Sequence, residues 1–329
     1  MPGAFAHITA VNLAFTESYF DKLTLPLVAK NALRKYQNYL ELGCVSPDLP
    51  YLKLADRVQN RWADKMHHQH VGDMIRALIR QVQHTRGEEQ DKLFAWVSGY
   101  LSHVIADITI HPVIEKRVGH YAANKLQHRL CEMHQDAYIW QRMGLGEIGS
   151  RERISNSLGS CINGDDKQKL DRLITHHWEQ ALRDVFNLSY WHSEPEIDAW
   201  FRGFKKVVDL VEDQYRLFPF SRHVAALLGL TYPTVDQIDL SFIHQLHTPH
   251  GLASYDQVFN LAVANIQHYQ QQLAAAVYAD GRVDLFLNWN LETGESPIGQ
   301  LSAWVRDVSN NETKNPVGVE LTASFDSTL

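Results

Sequence analysis

Hydrophobic positions recur every three or four residues along most of the chain, which is the spacing of a single buried helix face. One short segment, VDLFLNW at 283–289, has the composition of a strand but no obvious partner strand. We therefore expect an all-α fold, a compact multi-helix bundle. Helices are predicted at 5–41 (interrupted near Pro26), 65–85, 87–112, 120–142, 167–187, 195–216 and 253–279.

Three regions of the chain differ in composition. Residues 1–145 carry most of the candidate chemistry, and 146–306 add helices that we expect to pack on the same domain and shape its cleft. Around their junction, the segment 143–166 is rich in Gly, Ser and Asn, as surface loops are. The tail 307–329 is polar and aperiodic, so we expect it to be poorly ordered.

Histidine is the residue type that stands out, with 18 in the chain, most of them between His7 and His134. His103, Asp107 and His111 follow one another in steps of four within the helix predicted at 87–112, which places them within roughly 80° of one helix face. His103 and His111 would be about 12 Å apart along the axis, too far to share one ion. The spacing therefore indicates two neighbouring metal ions, with Asp107 placed to bridge them.

Other segments carry further imidazoles and carboxylates that could join such a site. Nitrogen and oxygen ligands of these two kinds form a set suited to zinc. The candidates are His7, Asp48 in the loop between Pro47 and Pro50, the group His67, His68 and His70, and the pair His128 and Glu132, which repeats the spacing of four.

Each candidate also has an ordinary structural explanation. A single His on an amphipathic helix is usually solvated, and Asp in Ser-Pro-Asp is commonly a turn residue. The joint pattern of His103, Asp107 and His111 is harder to explain in this way, because the helix at 87–112 is otherwise strongly apolar. Burying His and Asp among apolar residues without a polar partner costs free energy. A metal would satisfy all three. We interpret His84, His120, His192 and His268 as structural or surface residues. We favour the same interpretation for His244, His247 and His250, with metal binding as the less favoured alternative.

The bulk composition argues against several classes of protein. With a net charge of -7 and a pI near 6.2, the chain lacks the broad basic field of a nucleic-acid binder. Three cysteines are too few for a disulfide framework. No signal peptide is visible, and no stretch approaches the ~20 apolar residues of a membrane span. We expect a cytoplasmic protein, or one exported by a signal-independent route, that meets membranes only from the surface.

The candidate residues lie in motifs that resemble the bacterial zinc-dependent phospholipase C family, whose superfamily includes zinc-dependent nucleases. The resemblance covers roughly the first 135 residues, and its most specific part is the central motif around His103. The matching segments, in order, are PGAFAHI at 2–8, GCVSPDLPY at 43–51, KMHHQHVGDMI at 65–75, SGYLSHVIADITIHP at 98–112 and HRLCE at 128–132.

The resemblance implies a compact helical bundle that holds three zinc ions in a cleft. Secreted members use an N-terminal Trp at the third zinc; this chain has none, so the Pro2 amine, exposed by removal of Met1, is our candidate substitute. Among the adjacent histidines we prefer His68, while His67 and His70 remain open. Carried over residue by residue, the implied ligand sets are Asp48, His68, His103 and Asp107 for the first ion, His111, His128 and Glu132 for the second, and His7 with Asp107 for the third.

The activity implied by the resemblance is hydrolysis of glycerophospholipids such as phosphatidylcholine or phosphatidylethanolamine to diacylglycerol and a phosphorylated head group. Asp48 would act as the general base or orient the attacking water. A phospholipid at a membrane surface is then the expected partner, and no nucleic acid is expected. Two alternatives stay open: a zinc-dependent nuclease of the same superfamily, and a non-catalytic, metal-stabilised helical scaffold.

Overall fold

The computed structural model describes residues 3–16, 20–53, 56–144, 159–214 and 232–305. Within these ranges the chain is helical, with two very short antiparallel hairpins. The helices are α1 Ala4–Ala14, α2 Leu27–Lys35, α3 Gln37–Gly43, α4 Arg57–His68, α5 Val71–His84, α6 Gly87–Val118, α7 Tyr121–Trp140, α8 Arg172–Val185, α9 Asn187–His192, α10 Ile197–Gln214 and α11 Tyr255–Tyr278. The hairpins pair β1 Ile162–Asn163 with β2 Asp166–Leu170, and β3 Leu246–Thr248 with β4 Gly251–Ala253.

The all-α prediction is confirmed, and the differences in detail have local causes. The helix predicted at 65–85 is two helices, because His70 lies between α4 and α5 with a left-handed φ of 54°. Residues 166–170 form a strand, so the helix predicted to begin at 167 begins at Arg172, where Asp171 caps it. The strand predicted at 283–289 is wrong: this segment folds as irregular turns. The tail 307–329 lies outside the described residues.

Helix α6 forms the centre of the molecule. Its 32 residues include an uninterrupted buried run from Leu93 to Ile114, and α3, α5, α7 and α11 all pack against it. Each fully buried Leu or Ile in such a run contributes ~1.5–3 kcal/mol relative to exposure. Among the described residues α6 alone is long and apolar enough to cross a membrane. Its apolar window is entirely buried, and central helices of globular folds meet the same criterion.

Two glycines let α3 cross α6 with their backbones in contact. A Cβ atom on Gly43 would overlap the Trp96 carbonyl, and one on Gly99 would overlap the Leu40 carbonyl. Any larger residue would push the helices apart. The crossing matters for the site because the chain leaving α3 turns at once into the 3-10 helix Ser46–Leu52, which carries a candidate ligand.

The segment after α11 packs back on the centre of the fold. Pro112 lies inside α6, so it donates no hydrogen bond to the carbonyl of Ile108. Gly294, with a φ of 72°, lies against both residues, and a Cβ atom there would be 2.6 Å from the Ile108 oxygen. The Trp304 indole N–H donates to the Thr109 carbonyl at 3.1 Å. The C-terminal segment is therefore part of the same packed core.

Candidate metal centre

Helix α6 presents three of the predicted ligands on one buried face. His103, Asp107 and His111 are each at most 1% exposed. The Asp107 carboxylate lies between the two imidazoles, with Oδ2 3.2 Å from His103 Nε2 and Oδ1 3.6 Å from His111 Nε2. The helical spacing thus places one carboxylate oxygen toward each histidine, as the sequence predicts.

Helix α1 brings His7 to the same carboxylate. Its Nε2 lies 3.3 Å from Asp107 Oδ1, and its ring stacks on His103 with centroids 4.1 Å apart. His7 is 1% exposed, and α1 is held in place by packing against α6, α7 and α11. His7, His103 and Asp107 have ligand atoms within 4.8 Å of one another, which makes them a group able to hold a metal.

Asp48 reaches the cluster from the 3-10 helix that follows α3. Its Oδ1 lies 3.2 Å from His67 Nε2 and 3.9 Å from His103 Nε2. Asp48, His67 and His103 form the second group able to hold a metal, and it shares His103 with the first. The Asp48 side chain is 16% exposed, so this side of the cluster faces the surface.

The geometry favours His67 over His68, which we had preferred from the sequence. His67, on the inner side of α4, is 1% exposed and points into the cluster. Since successive helix residues turn by about 100°, His68 points elsewhere; it is 29% exposed and lies 3.5 Å from Glu292. His70 is exposed and contacts Asp73 instead. We therefore replace His68 by His67 in the proposed ligand set.

Backbone carbonyls orient two of the imidazoles. His67 Nδ1 lies 2.7 Å from the Ala63 carbonyl, and His103 Nδ1 lies 3.0 Å from the Cys44 carbonyl. Each Nδ1 must donate to its carbonyl, so in the neutral rings both Nε2 atoms present lone pairs. These two Nε2 atoms are 3.2 Å apart. Two nitrogen lone pairs at that distance repel each other unless a cation or a proton lies between them.

The remaining predicted ligands lie on α7. His128 Nε2 is 2.5 Å from the Gly119 carbonyl, so this nitrogen donates, and Nδ1 is left facing Glu132 Oε1 at 4.0 Å. Neither residue belongs to the two compact groups found in the described part of the chain. His128 is nevertheless close enough to His111 for its charge to reinforce burial in lowering the pKa of His111.

Several buried atoms of this cluster have no hydrogen-bond partner, which is the observation that fits a metal. Buried polar atoms are otherwise nearly always paired, and leaving one unpaired costs ~1–3 kcal/mol. A shared cation would satisfy them together. The unpartnered atoms are both ring nitrogens of His7 and of His111, both carboxylate oxygens of Asp107, Asp48 Oδ1 and His128 Nδ1.

The pKa values of four candidate ligands are shifted, three of them in the direction that favours the form that binds zinc. Burial would raise the pKa values of Asp48 and Asp107, but charges on the neighbouring histidines, His103 foremost, hold both below the usual value. Burial lowers the pKa of His111 well below its usual value. Burial also raises the pKa of Glu132 to about 7, so its charged form is costly without a nearby cation. Anionic carboxylates and neutral imidazoles are the forms that bind zinc.

Sequence reasoning missed two contributions to this site. Asp136 lies fully buried on α7 and holds the start of α1. It extends the spacing of four that joins His128 and Glu132, and that signal could have revealed it. The second is the segment after α11, where the Leu291 N–H donates to the His67 carbonyl at 2.9 Å and Glu292 lies beside His68. It has no helical period, so the sequence held no signal for it.

The second imidazole group, His244 to His250, lies at and around the β3–β4 hairpin, with all three rings exposed. Within the described residues it contributes to neither group able to hold a metal. The Pro2 amine, our candidate for the third zinc, lies outside the described residues.

The geometry thus brings histidines and carboxylates of a helical scaffold together in a buried cluster, with two overlapping groups able to hold a metal. A model of the zinc dependent phospholipase C family matches residues 6–188, more than half of the chain, so the protein belongs to this family. Searches among curated proteins and among solved structures found no match.

Proposed function

We propose that the protein is a zinc-dependent phospholipase C that hydrolyses the glycerol–phosphate ester of glycerophospholipids, with phosphatidylcholine or phosphatidylethanolamine as substrate. Family membership supports phospholipase chemistry. The observation that carries the proposal is the set of buried imidazole nitrogens and carboxylate oxygens that lie close together without hydrogen-bond partners among the described residues. The products would be diacylglycerol and a phosphorylated head group.

The proposed ligands form three linked sets: the distances above support the first and the third, and the second is taken from the resemblance to the family. The first contains Asp48, His67, His103 and Asp107; the second His111, His128 and Glu132; the third His7 with Asp107. When bound, zinc ions polarise the phosphoryl oxygens and lower the pKa of a bound water toward ~7.

Asp48 is the proposed general base. It is the only member of the two compact groups that is not fully buried, so it borders both the metal site and the route for water. Its carboxylate would accept a proton from the attacking water while the water oxygen bonds to phosphorus. The bond from phosphorus to the glycerol oxygen then breaks, and the leaving oxygen takes a proton from solvent. Within the described chain, this scheme needs no nucleophilic Ser or Cys.

We also propose that helices beyond residue 146 belong to the catalytic unit and shape the cleft. The contact of Leu291 with His67 and the position of Glu292 beside His68 support this role. Glu292 and His68 are each about one-quarter exposed, so both can be reached from solvent.

The proposal is tested by incubating the zinc-loaded protein with phosphatidylcholine and phosphatidylethanolamine vesicles and measuring diacylglycerol release. We expect release that His103→Ala abolishes and that His84→Ala, at an exposed histidine of α5, leaves unchanged. Single-stranded DNA is assayed in parallel. Cleavage of DNA without cleavage of lipid would favour the nuclease, and no hydrolysis of either by a zinc-loaded protein would favour the scaffold.

A further inference from the structure

The start of helix α1 is held by a carboxylate from another helix. Asp136 of α7 is fully buried, and its Oδ1 accepts the Ala6 N–H at 2.9 Å. Its Oδ2 accepts the Phe5 N–H at 3.3 Å and the Tyr232 hydroxyl at 3.2 Å. Among the residues that the structure describes, all of its hydrogen bonds therefore go to α1 and to one tyrosine, and none goes to the metal cluster.

This contact replaces the cap that α1 lacks in its own sequence. The N-cap residue of α1 is Gly3, which has no side chain to accept the free N–H groups of the first turn. A carboxylate there satisfies those donors and complements the positive end of the helix dipole. Gly3 also makes room for it, because a Cβ atom at this position would overlap the Asp136 carboxylate.

The residue directly after the held turn is His7. Unlike His67 and His103, whose Nδ1 atoms are tied to backbone carbonyls, His7 has no hydrogen bond on either ring nitrogen. Its position against Asp107 is therefore set by the placement of α1 and by stacking on His103. The hydrogen bonds from the Phe5 and Ala6 N–H groups to Asp136 fix the position of α1 in the turn directly before His7.

We propose that Asp136 is a positioning residue for the His7 metal site: by capping α1 from α7, it fixes where His7 meets Asp107. Asp136 positions the ligand His7 by holding the backbone of α1, and it does not itself bind the metal. The inference rests on the proposed zinc site, and it adds a residue outside the proposed ligand set.

The test compares zinc binding by the parent protein and by Asp136→Ala. Zinc content is measured after dialysis, and the affinity of the weakest-bound zinc is measured by competition with a chelator. Loss of a supporting residue typically weakens metal binding by about 10- to 100-fold. We therefore expect one zinc ion fewer per chain after dialysis, or a weakening of that size, with the tighter sites unchanged.

A matched control separates positioning from general stability. Asp171 also caps a helix, as the N-cap residue of α8 itself, where it accepts the Leu173 N–H at 2.9 Å, and α8 carries no site residue. Asp171→Ala is expected to lower stability while retaining the parent's zinc content and affinities. Should it lose the same zinc ion as Asp136→Ala, the effect is general destabilisation and the inference is wrong.

Asp136→Asn covers the case in which Asp136→Ala does not fold. The amide oxygen still accepts the Ala6 N–H, but its nitrogen faces the Phe5 N–H, so we expect about tenfold weaker binding of the same zinc, the low end of such effects. Unchanged zinc affinity in a folded variant overturns the inference. A parent protein that binds no zinc overturns the proposed function instead, so the two failures are distinguishable.

Discussion

Two imidazole rings of this site are oriented by backbone groups outside it. The Ala63 and Cys44 carbonyls fix the tautomers of His67 and His103, which leaves both Nε2 lone pairs directed at one point. Asp107 serves three histidines, since His7, His103 and His111 all approach its two oxygens within 3.6 Å. A single carboxylate at the junction makes the proposed metal sites interdependent.

Replacing Asp107 should therefore affect more than one metal ion. Asp107→Asn keeps the shape but removes the charge that is shared between the histidines. Since even supporting residues change metal affinity 10- to 100-fold, we expect at least about a hundredfold loss of lipid hydrolysis. Zinc content should fall by more than one ion per chain, as measured by atomic emission. Asp91→Asn, on the same helix but away from the site, is the control, and equal zinc in both variants would contradict the shared role of Asp107.

Adjacent histidines of α4 provide a matched pair. His67 points into the cluster and His68 points toward Glu292. We expect His67→Ala to lose zinc and at least about a hundredfold in activity, by the same reasoning. His68→Ala should keep the parent's zinc content. The reverse pattern in metal analysis would restore His68 as the ligand and show that our revised set is wrong.

At the scale of helices, the site depends on how closely α3 crosses α6. The contact between Gly43 and Gly99 lets the Cys44 carbonyl reach His103 and brings Asp48 to within 3.9 Å of the same ring. Two backbones in contact leave no side chain that could move aside. The packing of the core and the positions of the ligands His103 and Asp48 therefore both depend on the crossing of α3 and α6.

Adding one methyl group at the crossing of α3 and α6 should disturb both the core packing and the positions of the ligands. Overpacking a well-filled core typically costs about 1–3 kcal/mol, and here the obstacle is backbone, so we expect Gly99→Ala to cost at least about 3 kcal/mol. Urea unfolding of the metal-depleted protein measures this loss. Gly164→Ala, where a Cβ atom meets nothing within 4 Å, is the control. A Gly99→Ala variant as stable as the control would contradict the close crossing.

The sequence predicted these elements unevenly, for physical reasons. Long segments such as α6 and α11 were evident because α6 is a long apolar run and α11 has one buried face at helical spacing. The break at His70 was not, because a single left-handed residue leaves no mark on hydrophobic periodicity. His67, four residues after the buried Ala63, continues the buried face of α4, and the prediction missed this because its helix began only at residue 65.

At the scale of the whole molecule, the candidate centre joins segments far apart in the chain. His7, Asp48 and His67 meet α6 only after folding, and the segment at Leu291 closes over His67 from the other end of the chain. The residues that meet in the cluster, His67 apart, could be proposed from the sequence because each lies in a recognisable motif. The closing segment was not, because contacts between distant, irregular segments follow from tertiary packing alone.

Metal removal should consequently destabilise the entire fold. A ligand that binds only the native state adds RT ln(1 + [L]/Kd) to its stability, ~2.7 kcal/mol at one hundred times Kd. We expect a chelator to lower the melting temperature measured by calorimetry, and zinc to restore it. His103→Ala, which keeps the proposed set His111, His128 and Glu132, should show a smaller fall in melting temperature with chelator than the parent protein. A parent protein whose melting is unaffected by chelation would contradict coupling of metal binding to folding.

The most direct test of the central claim is a zinc titration of the metal-depleted protein, with release of phosphorylated head group from phosphatidylcholine or phosphatidylethanolamine vesicles measured at each step. The histidine–carboxylate centre predicts that hydrolysis appears with zinc and saturates once more than one ion is bound per chain. Tight zinc binding with no hydrolysis of either lipid at any point of the titration would contradict it.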